Sequence, residues 1–425
     1  MSVTNYRKTL LITTLTLGIG VGLALTTTPT QAAGFYIQES SIAGLGYAFA
    51  GASTVLDDAS VVYYNPAGMT QIHRPTLTLG ASVLIPKSDL SNTGTTFGGA
   101  AFNGTGDGGN PYSVTPVPTM AFVYPLVKDF LWTGVSVNAP FGLANEYDEG
   151  WFGRYDSTKT ELTTINVSPS VAVKIDQHIS IGAGIDIQYA DATLKADVNA
   201  GGAGIGVSTL EGNDLSAGFH AGIQVRPWEG TTLAAHYRSK MNHNLQGRIK
   251  VEGLLAGNSN TLGNAELNLP DMATFGIAQQ LDPQWTVMGQ AMWFGWNEFD
   301  EIRAKSNAGT TLSNVVQNYQ PTWAFALGAE YVMNDTWMFR GGLQYDQTPT
   351  TDEFRTSRTP DGDRIWVTVG TTYTVSEHWD LDFSAGYINI ANEDISVSRN
   401  SGSAQVRAET EGHVGLLAAG FSYKF

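Results

Sequence analysis

The chain has 425 residues, of which 15% are charged, with 48 glycines, no cysteine and a formal charge of −16. That balance excludes a disulfide framework and thiolate chemistry, leaves no basic footprint for nucleic acid, and suits neither a soluble enzyme nor a disordered tail. Length alone does not fix the number of domains, because closed β-barrels exceed the usual domain size as single units.

In chain order, Met1 to Ala32 carries Arg7 and Lys8, an apolar run from Leu10 to Leu25, and Thr30-Gln31-Ala32 as a small-x-small ending. This predicts a cleaved signal peptide over 1–32, too short in its apolar part to be a good membrane span. Losing Arg7 and Lys8 takes the formal charge from −16 to −18. The next segment, 33–74, has no strand rhythm. It runs through Ala33-Gly34-Phe35-Tyr36-Ile37, a small-residue tract from Gly44 to Thr54, Asp57-Asp58 and Asn65-Pro66-Ala67-Gly68. Pro66 bars a central strand and keeps Asn65 out of the helical region, so a compact turn-rich plug is expected ahead of a β body.

From 75 to 425 the pattern has period two. Ile179, Ile181, Ala183, Ile185, Ile187 and Tyr189 share one face, and Asp186 and Gln188 the other; Trp379, Leu381, Phe383 and Tyr387 alternate with Asp380 and Asp382. About fourteen strands are predicted, at 75–86, 116–127, 130–141, 160–175, 179–193, 214–227, 231–249, 266–281, 285–302, 319–333, 337–347, 363–375, 378–390 and 408–425, each long enough for a tilted membrane crossing of roughly 9 to 11 residues. Tight turns such as Lys128-Asp129 and Asp176-Gln177-His178 alternate with long connections near 87–115, 142–159, 194–213, 250–265, 303–318, 348–362 and 391–407. Short turns at one end, long loops at the other and an even strand number predict an all-β outer-membrane barrel. Trp132, Trp151, Trp228, Trp285, Trp337 and Trp379 fall near predicted strand ends, as interfacial girdles would. The last strand ends on Phe425, resembling the terminal aromatic by which barrel-assembly machinery recognises its clients.

Several segments together resemble the FadL family of outer-membrane long-chain fatty acid transporters. They are Ala33-Gly34-Phe35, Gly44-Leu45-Gly46, Asp57-Asp58, Asn65-Pro66-Ala67, Phe152-Gly153-Arg154-Tyr155, Asn268-Leu269-Pro270, Asp282-Pro283-Gln284-Trp285 and Pro360-Asp361-Gly362-Asp363-Arg364-Ile365-Trp366. The resemblance implies a fourteen-stranded barrel, 75–425, closed by a hatch, 33–74, and passive uptake of hydrophobic molecules. A ligand would land among the extracellular loops, enter a lumen pocket and leave sideways beside a kinked third strand. It implies that Gly34, Phe35 and Tyr36 enter the pocket, that Gly142 is the kink glycine, and that Asn65-Pro66-Ala67 packs near it. The basic head-group positions of the fatty acid members correspond to Gln320 and to the vicinity of Lys195. Because Gln320 is uncharged, hydrocarbons or aromatics are the alternative substrates, and a barrel lipase is the alternative of another class.

The third strand runs Val135-Ser136-Val137-Asn138-Ala139-Pro140-Phe141-Gly142. Proline cannot donate to a ladder, so Pro140 either opens the wall or marks the strand's exit into a loop. Asp57 and Asp58 are expected to hydrogen-bond barrel arginines rather than to serve as an acid–base pair. Arg238, Arg340, Arg364, Asp186, Glu330, Asp346, Asp380 and Asp382 fall on predicted lumen faces, as a charged lining that holds the hatch. There is no Gly-x-Ser-x-Gly, no His-Glu-x-x-His and no P-loop, so neither catalysis nor a metal or other cofactor is expected. The expected surroundings are hydrophobic ligands, outer-membrane lipids and lipopolysaccharide about a monomer.

Overall fold

Each strand of the barrel pairs with the next in the chain, and the first pairs with the last. The computed structural model describes residues 34–425; the expected leader, 1–32, and Ala33 lie outside the described residues. The strands are β1 (Thr76–Asn92), β2 (Thr115–Val127), β3 (Leu131–Asn138 and Gly142–Glu146), β4 (Lys159–Lys174), β5 (Ile179–Asn199), β6 (Ile205–Val225) and β7 (Thr231–Arg238 and Met241–Glu252). There follow β8 (Ser259–Leu269 and Met272–Gln280), β9 (Trp285–Phe294 and Glu301–Ser306), β10 (Thr311–Val316 and Thr322–Val332), β11 (Trp337–Asp346), β12 (Arg364–Ser376), β13 (Trp379–Arg399) and β14 (Ala404–Lys424). β1 closes on β14 from Thr76↔Lys424 to Asn92↔Ala408, giving a closed antiparallel barrel of 14 strands. Closure leaves no edge to face lipid, which offers no partner to a bare N–H or C=O.

The side chains are arranged as in a protein whose outside is the greasy side. Ile181, Ile185, Ile187, Phe383, Tyr387 and Leu417 are exposed, while Asp186, Gln188, Asp380 and Asp382 are buried. At the short-turn end, Asp176, Asp282 and Asn334 each accept two backbone N–H groups through one side-chain oxygen, at 2.7 to 2.9 Å, and so hold the chain in its reversal. Trp228, Trp285, Trp337 and Trp379 are exposed at that end, as an interfacial belt requires. Trp132 and Trp151 are buried instead: Trp132 points inward and donates to the Ile72 carbonyl at 2.8 Å, and Trp151 stacks on Tyr147 in a loop.

Four of the connections expected to be long loops are largely strand. β5 and β6 reach to Asn199 and from Ile205, and β13 and β14 reach to Arg399 and from Ala404; the 250–265 and 303–318 segments shrink to short turns likewise. Above the lipid, both faces of a strand meet similar surroundings, so the polar–apolar alternation that announces a strand fades; from Ala192 to Asn199 every residue is half-buried. Three long loops remain, between β1 and β2, β3 and β4, and β11 and β12, and they are knit together. Glu146 N donates to Pro111 O at 2.9 Å, Tyr147 Oη to Ser357 O at 2.6 Å, and Asn145 Nδ2 to Arg358 O at 2.7 Å. Strands predicted as continuous are interrupted in β7 to β10; Pro270 stands in the β8 break and Pro321 in that of β10, where each lacks the N–H a ladder needs.

Residues 34–72 lie within the barrel. They form two single-turn helices, α1 (Ile42–Gly46) and α2 (Val61–Tyr64), and a 3₁₀ turn, Pro66–Gln71. Ser41 caps α1 by accepting Gly44 N at 3.0 Å, and Asn65 accepts Ala67 N at 3.1 Å with Pro66 at the first helical position. The segment is almost wholly buried and bonds to strands around the ring: Gln224 Nε2 to Ser53 O at 2.8 Å, Ser384 Oγ to Ile42 O at 2.7 Å, Thr119 Oγ1 to Ser40 O at 2.9 Å, and Thr70 Oγ1 to Ser180 Oγ at 2.8 Å.

Candidate ligand site and strand break

The break in β3 positions the site. Its lower half pairs with β2 up to Met120↔Val137, and its upper half, from Gly142, pairs only with β4. Between them Pro140 has no N–H to give. The N-terminal segment occupies the break instead: Ile37 N donates to Pro140 O at 2.8 Å, Gly142 N donates to Phe35 O at 2.9 Å, and Tyr36 bridges Phe141. Gly142 therefore marks the resumption of the strand. Thr164 Oγ1 on β4 secures the turn by accepting Phe141 N at 3.0 Å.

The same backbone pairing carries Phe35 and Tyr36 into an aromatic cluster. Phe35 meets Trp296 and Phe299 edge-on with centroids 4.9 and 5.1 Å apart, and Tyr36 lies 5.2 Å from Phe294 and 5.6 Å from Phe141. Gly34, at φ +64°, packs against Trp296, and its N–H donates to Asp361 Oδ2 at 2.9 Å. Beside Phe35 opens a narrow cleft of about 60 Å³, lined by Leu143, Leu162, Leu194, Leu245 and Leu267, with Gln317 and Arg358 among its polar lining residues.

Arg358 is buried. Its Nη2 donates to Asp156 O at 2.8 Å and Lys195 O at 3.2 Å, and its Nη1 to Lys159 O at 3.2 Å. Among the described residues no carboxylate comes within ion-pair distance of it. Burial pushes the guanidinium down to about 10, against the nearby Asp156 charge. Asp156 itself accepts Ser357 N at 2.7 Å and Arg399 Nε at 2.7 Å. Although burial raises its carboxyl, the Arg399 and Arg358 charges outweigh burial and hold it below the ordinary carboxylate range.

Two expected head-group positions fall elsewhere. Leu194 faces the cleft, so the pleat puts Lys195 on the opposite face and only its carbonyl reaches Arg358. Gln320 is exposed and donates to Asn318 O at 2.9 Å, while its neighbour Tyr319 joins the aromatic cluster. Asn65-Pro66-Ala67 is also not at Gly142. It seats on the cross-strand pair Gly182↔Gly222 of β5 and β6, where a Cβ on Gly222 would come within 2.1 Å of Asn65 Oδ1. Among the described residues Asp57 and Asp58 bond no arginine: Asp57 is exposed, and Asp58 accepts Ser60 N at 2.7 Å.

The charged lining is present on the barrel itself. Arg238 pairs with Asp186, donates to Tyr63 O at 2.8 Å and lies over the Tyr63 ring; Arg340 bonds Glu330 at 3.1 Å; Lys424 bonds Asp380 at 2.7 Å. Ser170, His220 and Asp186 stand in a line of 2.9 Å contacts, the order of a hydrolase triad. All three are buried, and Asp186 is also bonded by Arg238, Asn166 and Ser168, so the line knits β4, β5, β6 and β7 together.

The model of the outer membrane protein transport protein family (OMPP1/FadL/TodX) matches residues 23–425. The chain belongs to that family. FadL-family relatives include the long-chain fatty acid transport protein of Escherichia coli O6:H1, 30% identical over 93% of this chain and 96% of its own. Among solved structures, a Pseudomonas aeruginosa FadL homologue has a TM-score of 0.87 at 24% identity, over 92% of this chain and 100% of that one. The Ralstonia pickettii toluene transporter TbuX has a TM-score of 0.63 at 19% identity, over 88% of this chain and 96% of its own. A FadL-family barrel is an outer-membrane transport protein and not an enzyme, which answers the lipase alternative.

Proposed function

We propose that this protein takes up long-chain amphiphiles with an anionic head, fatty acids first among them, without an energy source. The carrying observation is Arg358: a buried cation without a carboxylate partner among the described residues, on the wall of a cleft whose exposed surface is mostly apolar. The acyl tail lies among the leucines and Phe35, and the head accepts from Gln317 Nε2, which is buried and unpartnered, and from Arg358 Nη1 in place of its 3.3 Å bonds to the Ser157 and Thr160 hydroxyls. Residues 33–74 act as a hatch within the 75–425 barrel, and 1–32 as a cleaved leader. Exit is sideways at the Pro140 break, where the wall of β2 and β3 is held by the N-terminal segment rather than by a ladder. Movement of Phe35 and Tyr36 by an arriving ligand releases that contact. The barrel works as a monomer among outer-membrane lipids and lipopolysaccharide, delivered by assembly machinery that reads Phe425.

Titration of the purified protein with labelled oleate and labelled hexadecane tests this. Arg358→Ala is expected to weaken oleate binding about ten- to a hundredfold, the worth of one or two charge-assisted hydrogen bonds, and to leave hexadecane unchanged. Equal binding of both ligands before and after the change would transfer the function to uncharged hydrocarbons.

A further inference from the structure

At the lower rim of the β3 break, buried polar atoms collect without partners. Asn138 is 4% exposed, and neither its Nδ2 nor its Oδ1 has a hydrogen-bond partner among the described residues. Ser136 Oγ, one inward position below, and Asn166 Oδ1, directly across on β4 in register with Asn138, are unpartnered too. The other end of the Asn166 amide is fixed: Nδ2 donates to Ser168 Oγ at 2.8 Å and to Asp186 Oδ1 at 3.0 Å, which leaves only its oxygen free. A buried amide left without partners keeps its full desolvation cost, and polar groups at membrane depth are kept where they serve a ligand or pathway.

We propose that this cluster of polar side chains is a second head-group site, at the exit, that takes the neutral form of the ligand's head: a protonated carboxylic acid. The inference rests on the proposed uptake of fatty acids. The chemistry of the donors selects the form. Asn138 offers a donor and an acceptor side by side, the complement of a carboxyl group that has one O–H and one C=O; a carboxylate has only acceptors and would face Asn138 Oδ1 and Asn166 Oδ1 unfavourably. The location supplies the reason. A carboxylate cannot pass into hydrocarbon without a large desolvation penalty, whereas the neutral acid can, and Asn138 stands one residue past the last rung of the β2–β3 ladder, Met120↔Val137, where the side exit begins. Arg358 therefore receives the anion; on leaving Arg358 the carboxylate takes a proton from hydronium of the surrounding water, as loss of solvation raises its pKa, and Asn138 holds the neutral acid as its tail enters the membrane.

The test is uptake into vesicles carrying the full-length mature protein, using palmitic acid, methyl palmitate and hexadecane. Asn138→Leu conserves volume and removes both polar atoms; it is expected to slow palmitic acid about tenfold relative to hexadecane, and methyl palmitate, which accepts but does not donate, less than the acid. Ser136→Ala removes one hydroxyl with little change in packing and is expected to act in the same direction, so a folding failure of the first variant does not remove the test. An unchanged ratio of acid to alkane in either folded variant overturns the exit site while leaving uptake itself standing. Failure of the unaltered protein to move palmitic acid at all overturns both the exit site and the function it rests on.

Discussion

A single step along a strand decides which face a side chain serves, and Leu194 and Lys195 show the consequence. The sequence puts a cation near the head-group position; the pleat turns it away and leaves Leu194 in the cleft. Arg358 was not legible because it sits in Thr356-Ser357-Arg358-Thr359, a loop without periodicity, so no face could be assigned to it. Burial also sets the behaviour of two acids in the N-terminal segment. Glu39 is raised to about 7 by burial, with Arg364 opposing, and Asp58 to about 7 by burial and then the Asp382 charge. Asp346 and Tyr64 also face Glu39. Both acids bind a proton more tightly when seated than when released to their ordinary values near 4. Their contribution to seating is thus complete below about pH 4 and is lost as pH rises through about 7. Amide protection factors over 34–72, which are referred to the intrinsic exchange rate at each pH, are expected to be lower at pH 8 than at pH 5.5, and Glu39→Gln with Asp58→Asn to flatten the difference.

At the scale of elements, the strands were legible wherever lipid lay on one side and lumen on the other, and illegible where they rise into water. The break in β3 was legible too, from Pro140 alone, but its occupant was not: nothing in Phe35-Tyr36-Ile37 announces that its backbone will pair with Pro140 and Gly142. That pairing makes a prediction about the wall. Pro140→Val restores an N–H and a residue suited to a strand, allowing the β2–β3 ladder to continue past Val137. Palmitic acid uptake is expected to fall several-fold while the variant keeps the heat-modifiable gel mobility of a folded barrel. Unchanged uptake would place the exit elsewhere.

On the scale of the whole molecule, a barrel of 14 strands is wide enough to leave an aqueous lumen unless something fills it, and residues 34–72 occupy it with side chains that are almost all buried. Polar solutes and greasy ones should therefore part company. A sixteen-carbon chain released into water would lose roughly 0.8 kcal/mol per methylene, more than about 10 kcal/mol in all, so a route that ends in the membrane is favoured over one that ends in the periplasm. Vesicles loaded with a self-quenched hydrophilic dye are expected to take up palmitic acid without losing dye. Gly222→Ala gives the contrast. Its Cβ would collide with Asn65 Oδ1 and, through Asn65, with the seat of Pro66 and Ala67, an overpacking worth about 1 to 3 kcal/mol. Dye leakage is expected to appear in that variant, because loosening the segment opens the lumen to water. Leakage from the unaltered protein at the same rate would mean that the lumen is open from end to end and that the side exit is not needed.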